Sequence, residues 1–217
     1  MNCLSNCPPT AYADEHKLCC FRSRLSEIGQ KRTVLEFCCR ASEPLFYKII
    51  MHSFNELADR CALFTLSALR EANDRTIDML QTSGATTLVK TLQMIQLQKT
   101  ILAVGMFSIF EADLKTNFGC ENGFKKVKKI LDAKGKADLK ERFEDLYIAI
   151  NALKHGRGDS YDALVAKAGQ LPFRVKIPTE SFFFEGDVGE VNTLIEVDDA
   201  FVQLCGDMIS EVSQAMQ

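Results

Sequence analysis

Several features that would assign a function class are missing from this chain of 217 residues. The longest apolar run, residues 101–110, is ten residues long, which is about half the length needed to cross a bilayer. The first sixteen residues contain no apolar stretch typical of a secretory signal. No glycine-rich phosphate loop follows a predicted strand, and the sequence has no internal repeat. We therefore expect a soluble, cytoplasmic protein without a membrane segment.

Histidine is scarce, with three in the chain. His16 and His52 lie in or near an N-terminal part that has no regular apolar period, so no nucleophile can be placed beside a general base. His155 is the one histidine inside a clearly predicted helix. A catalytic site of the Ser-His-Asp type is therefore not predicted.

An excess of basic charge is also absent, since the formal net charge is −3. Composition alone therefore does not indicate a nucleic-acid partner. The charge is segregated: residues 121–142 hold eight Lys and Arg against four Asp and Glu, and residues 177–217 hold nine acidic residues and no basic one. Such regions could attract each other within a subunit or between subunits. Ordinary solvated faces are the plainer interpretation.

Six of the nine cysteines precede residue 50. Their odd total and the missing export signal do not fit a secreted disulfide framework. Their spacing lacks the paired CxxC knuckles of zinc modules, so neither a metal site nor another cofactor is predicted. We interpret residues 1–50 as a Cys-rich N-terminal extension that contributes little to the core, and residues 51–217 as a helical domain.

Apolar periodicity and capping residues predict helices over residues 53–81, 86–117, 122–133, 137–155, 160–168 and 199–215. A strand over 173–177 and a hairpin are also predicted, the hairpin from segments 182–185 and 191–197 around a turn at 186–189. The fold class is thus mainly α: an up-and-down helical bundle with a small β-hairpin before the C-terminal helix.

The apolar faces predict how these helices pack. The expected apolar side of the first helix consists of Leu57, Cys61, Phe64, Ala68 and Ile77. The second helix is apolar all round from residue 101 to residue 110, as expected of the central helix of a bundle. The helix over 137–155 has a core seam in 4-3-4-3 spacing, formed by Leu139, Phe143, Leu146, Ile150 and Leu153.

The most informative stretch is EDLYIAINALKHGRGD, residues 144–159. Asn151 and His155 are one helical turn apart, so their side chains can meet beside the glycines that end the helix. Polar groups held at such a helix end form a candidate acid–base site. The alternative is an ordinary helix C-terminus, in which Lys154, His155 and Arg157 complement the helix dipole.

Two segments, FSIFEADL and INALKHGRGDSYDAL, resemble the HEPN superfamily of prokaryotic helical domains over roughly residues 55–215. The resemblance implies a bundle that commonly dimerises, so that two copies of an Arg-Asn-x-x-x-His signature face each other. In active members the signature cleaves RNA without a metal, and many members belong to toxin–antitoxin, abortive-infection and other defence systems. Implied partners are therefore a second copy, RNA or a nucleotide, and an antitoxin-like protein.

On this sequence the resemblance places the signature asparagine at Asn151, the histidine at His155 and a supporting acid of the central helix at Glu111. The signature arginine falls on Ile150, an apolar residue of the core seam. The resemblance therefore implies weak or absent cleavage.

Without that guanidinium, phosphate contacts must come from Lys154, Arg157, a partner subunit or nothing. Three interpretations remain open. In the first, the chain is a non-catalytic HEPN-like module that binds RNA, a nucleotide or a protein. In the second, it is a metal-independent endoribonuclease that uses Asn151 and His155. In the third, it is an all-α interaction protein of another kind.

Overall fold

The computed structural model describes residues 53–217, which form six packed α-helices. They are α1 (Phe54–Leu80), α2 (Thr86–Phe118), α3 (Gly123–Ala133), α4 (Ala137–His155), α5 (Asp159–Ala166) and α6 (Asp199–Met216), and a single 3₁₀ turn, Ala168–Gln170, follows α5. The predicted mainly α class is confirmed, and each predicted helix lies within two residues of its observed bounds. The predicted extension, residues 1–50, lies outside the described residues. Of the helices described, none has the length and apolar character needed to span a membrane.

Local capping explains where several helices begin and end. The Asn122 side chain accepts a hydrogen bond from the Lys125 backbone N–H at 2.8 Å and starts α3. Asp198 does the same for α6 by accepting from the Phe201 N–H at 2.8 Å. Both side chains satisfy a first-turn N–H group that has no partner within its helix. Gly119, at φ 57°, closes α2 in the left-handed conformation.

An aromatic cluster joins α2, α3 and α4. The ring centroids of Phe124 and Phe143 lie 5.3 Å apart, and those of Phe107 lie 6.1 Å from Phe124 and 6.4 Å from Phe143. All three rings are buried. The predicted seam of α4 is confirmed, with four of its five residues buried and Leu153 partly buried against the core. Burial of these large apolar side chains is the main force that holds the three helices together.

Two helices lie at the centre of the bundle: α2 packs against α1, α3, α4 and α6, and α6 packs against α1, α2, α3 and α4. The prediction that α2 is surrounded by protein over residues 101–110 is wrong. Ala103, Met106 and Phe107 are buried, but Ile101 and Ile109 are 61% and 58% exposed. An apolar sequence on every side of a helix therefore does not imply that every side is covered here.

The predicted apolar side of α1 is also wrong. Leu57, Phe64 and Ile77 are 50%, 78% and 42% exposed, and Cys61 and Ala68 are exposed too. The side of α1 that faces the core consists of Ala58, Ala62, Leu66, Leu69 and Thr76. The helix has two apolar stripes. The one with small residues faces inward, since alanines let neighbouring helices approach closely.

The predicted hairpin before α6 is wrong for this part of the chain, where a single antiparallel bridge joins Val175 to Ile195 within residues 53–217. The carboxylate of Glu190 accepts the backbone N–H of Phe183 at 2.7 Å and binds the Lys176 ammonium at 2.5 Å. A strand needs its N–H groups for the neighbouring strand. Here a side chain takes one of them, and a loop closes around a buried ion pair instead.

The segregated charges meet within the subunit. Arg142 of the basic α3–α4 pair forms an ion pair with Glu211 of α6 at 2.6 Å, and the Lys134 ammonium donates to the Ala215 carbonyl at 2.8 Å. Asp199, in the first turn of α6, pairs with Arg70 of α1 at 2.9 Å and Lys99 of α2 at 2.7 Å. Of the two arrangements left open by the sequence, these contacts correspond to attraction within one chain.

Candidate functional site

The end of α4 carries four of the five residues predicted to form a site. Asn151 is partly buried, whereas Lys154, His155 and Arg157 are exposed. The helix stops where Gly156 adopts φ 77°, with its N–H bonded to the Ala152 carbonyl at 2.9 Å. A residue with a Cβ is disfavoured at this φ, so the glycine sets the point at which His155 becomes the last helical residue.

Ile150, on which the resemblance places the signature arginine, is a core residue. Its side chain is 3% exposed and belongs to the main core cluster, as do Leu146 and Ala149. A guanidinium at this position would be buried without water, which costs several kcal/mol unless a partner charge accompanies it. The side chain at position 150 therefore contributes to packing of the core within one chain.

Arg157 is the nearest guanidinium in sequence, and it lies above an aromatic ring of α5. Its guanidinium carbon is 5.5 Å from the centroid of Tyr161. Tyr161 is 2% exposed and its hydroxyl donates to the Lys176 carbonyl at 2.6 Å, so the ring is held in place. A stacked guanidinium keeps its N–H donors at the edge, where they can still reach an anion.

Glu111, the third predicted catalytic residue, lies on α2 and is partly buried. Its carboxylate pairs with Lys115 of the same helix at 2.9 Å. The backbone of Gly123 passes close to the Glu111 carbonyl, and the neighbouring Phe124 ring lies 5.1 Å from Tyr147.

The charge around His155 is mixed. Lys154 and Arg157 contribute positive charge, while Asp159 and Asp162 in the first turn of α5 contribute negative charge. A helix start favours these two acidic residues. Chemically, the α4 end offers one imidazole, one carboxamide and two exposed cations, with the two carboxylates of α5 nearby in the sequence.

A second polar region was missed by the sequence analysis. It is a cleft of about 310 Å³ between α1, α2 and the loop that precedes α6. Its apolar lining includes Ile77, Leu92 and Ile95, and its polar lining includes Asn73, Gln96, Asp187, Glu190, Glu196 and Asp198. The sequence signal for this cleft was the run of nine acidic residues after Lys176. Their spacing alone does not show that four of them line one cleft.

The pKa values of two cleft carboxyls shift in opposite directions. Burial, and then the negative charge of Asp198, raises the pKa of Glu196. Burial also acts to raise the pKa of Glu190, but hydrogen bonds from Lys176 and from the Phe183 N–H outweigh it and lower that pKa. The partners of Glu190 therefore stabilise its charged form, whereas burial disfavours the charged form of Glu196.

Within residues 53–217, no group of three or more His, Cys, Asp or Glu residues has the arrangement of a metal site. The six cysteines that precede residue 50 lie outside the described residues. Comparisons with family models, with curated proteins and with solved structures found no match to this chain.

Proposed function

We propose that this chain is a HEPN-like helical module that binds RNA or a nucleotide at the end of α4 and cleaves RNA weakly or not at all. The observation that carries the proposal is the exposure of His155, Lys154 and Arg157 beside the partly buried Asn151. A prokaryotic defence or stress context, with an antitoxin-like partner, belongs to the same proposal and rests on the resemblance.

The proposed chemistry follows from the groups present. Histidine has an ordinary pKa near neutrality and suits proton transfer from a 2′-hydroxyl. Asn151, one turn earlier, can orient the imidazole or donate to a phosphate oxygen. With Ile150 in the core, the developing charge on the phosphate lacks its best bidentate donor. Loss of one such donor costs about 3 kcal/mol, on the order of a hundredfold in rate.

The binding test is a mobility shift of a single-stranded RNA by the full chain in low salt. The double variant Lys154→Gln/Arg157→Gln should weaken binding about tenfold and should reduce its salt dependence, since each phosphate contact releases a counterion. The matched control is Lys125→Gln/Lys126→Gln, which removes two exposed charges from α3. Equal losses in both variants would contradict a site at the α4 end.

The cleavage test uses the same RNA with a chelator present. A metal-independent endoribonuclease that uses Asn151 and His155 is the alternative function, and it is favoured if cleavage appears and His155→Ala abolishes it. Robust cleavage that survives His155→Ala would refute the assignment of this residue. Absence of any RNA or nucleotide binding would leave the interaction protein as the remaining interpretation.

A further inference from the structure

An uncharged apolar surface remains open on the first two helices. It consists of Leu57, Cys61, Phe64 and Ala68 on α1 and of Met94, Leu97 and Ile101 on α2, and we name it the α1–α2 face. Its large side chains are between 45% and 78% exposed, and Phe64 is the most exposed of them. Large apolar side chains left exposed on two packed helices are candidates for an interaction site.

The two stripes overlap in part along the helical hairpin, near Phe64 and Ile101. A short turn joins α1 to α2, so the helices run antiparallel, and they pack against each other. Phe64 lies sixteen residues before the end of α1 at Leu80, and Ile101 lies fifteen residues after the start of α2 at Thr86. At about 1.5 Å per residue these two side chains are at the same height.

The α1–α2 face carries little charge that would limit which surfaces can bind to it. Residues 61–69 contain no charged residue, and residues 91–110 contain only Lys99, whose ammonium is bound to Asp199 at 2.7 Å. The α1 residues recur at spacings of four, three and four, and the α2 residues at three and four. This spacing suits knobs-into-holes packing against further helices.

The exposed apolar area of the α1–α2 face is close to the area that each partner buries in a standard interface. Its five half-exposed large side chains and two smaller ones offer on the order of 100 Å² each, or roughly 600–700 Å² per subunit. A standard interface buries about 800 Å² per partner. A neutral stripe of this size is complementary to itself, whereas a partner of different chemistry would call for charge or polar groups that the face lacks.

We propose that two copies of this chain pair through the α1–α2 face to form a symmetric homodimer. The pairing does not depend on RNA binding at the α4 end. It also differs from the charge-based dimer suggested by the sequence, because Arg142 and Glu211 already pair within one subunit.

The test is light scattering of the full chain at micromolar concentration. The expected mass is about 49 kDa, twice the 24.3 kDa of one chain. Phe64→Glu and Ile101→Glu should each raise the dissociation constant at least about thirtyfold, as expected for a central interface side chain. Both residues are exposed in the subunit, so the helical circular dichroism should not change.

The matched control is Phe182→Glu, which alters a side chain that is 58% exposed outside the α1–α2 face. This variant should remain dimeric. A 24 kDa mass at every concentration would overturn the proposal. A dimer that is insensitive to Phe64→Glu and Ile101→Glu would also overturn it. A third contrary result would be a monomer in which these variants lower the melting temperature, because residues 1–52 would then cover the face.

Discussion

Lys176 and Glu190 form an ion pair of 2.5 Å in which the two side chains are only 5% and 9% exposed. The Lys176 ammonium also lies 4.4 Å from the centroid of the Phe183 ring. Glu190 in turn accepts the backbone N–H of Phe183. One buried pair thus closes the loop that replaces the predicted hairpin and forms one wall of the acidic cleft.

Removal of Lys176 should destabilise the fold strongly. Lys176→Ala leaves Glu190 buried without its partner, and breaking a buried pair in this way costs about 3–5 kcal/mol. The control Arg75→Ala breaks an exposed pair with Glu71 and should cost less than about 1 kcal/mol. Urea denaturation measures both. Similar losses in the two variants would show that the buried pair has no special role.

Glu196→Gln should raise the melting temperature at pH 7 by about 1–2 °C. The folded pKa of Glu196 is raised, so its contribution to stability is present below the unfolded pKa, near 4.3, and is lost as the pH rises through the folded pKa. The advantage of the glutamine should therefore disappear near pH 3.5. Thermal denaturation across this pH range measures it, and Glu185→Gln, at an exposed position, is the control.

Two glycines in helices should respond oppositely to alanine. A Cβ at Gly123 would lie 2.7 Å from the Leu114 Cβ, so Gly123→Ala should destabilise by about 1–3 kcal/mol. A Cβ at Gly105 meets nothing within 4 Å, so Gly105→Ala should stabilise α2 by about 0.5–1 kcal/mol. Urea denaturation compares the two. The same sign for both would contradict the close contact between α2 and α3.

An arginine at position 150, where the resemblance places the signature residue, should not produce an enzyme. Ile150→Arg places an unpaired charge in the core and should cost more than about 4 kcal/mol, so little folded protein is expected. Ile150→Met conserves volume and should cost less than about 1.5 kcal/mol. Circular dichroism and the yield of soluble protein measure both. A stable Ile150→Arg protein with RNA-cleaving activity would show that this position opens toward the site.

A chain that begins at Met51 should keep its melting temperature within a few degrees. Residues 53–217 contain their own core, and the composition of residues 1–50 offers no regular apolar face to add to it. Thermal denaturation of the short and full chains measures the difference. Loss of soluble expression in the short chain would contradict the prediction, as would stoichiometric zinc in the full chain.

The helices were predictable because their signals are local. The cap at Asn122, the left-handed Gly119 and the 4-3-4-3 seam of α4 each depend on neighbours within one or two turns. The position of Asn151 and His155 at a helix end followed from the same signals. The hairpin was mispredicted because alternation and a Gly-Asp-Val-Gly turn do not show that Glu190 takes the N–H of Phe183.

By itself, the sequence determined the class of the fold, the helix bounds and the apolar character of position 150, since each follows from periodicity and capping along one segment. Only the tertiary structure decided which of the two apolar stripes of α1 is buried, because that choice depends on how closely α2 and α6 can approach. The local spacing of residues does not specify contacts between distant segments of the chain. Those contacts leave the α1–α2 face exposed.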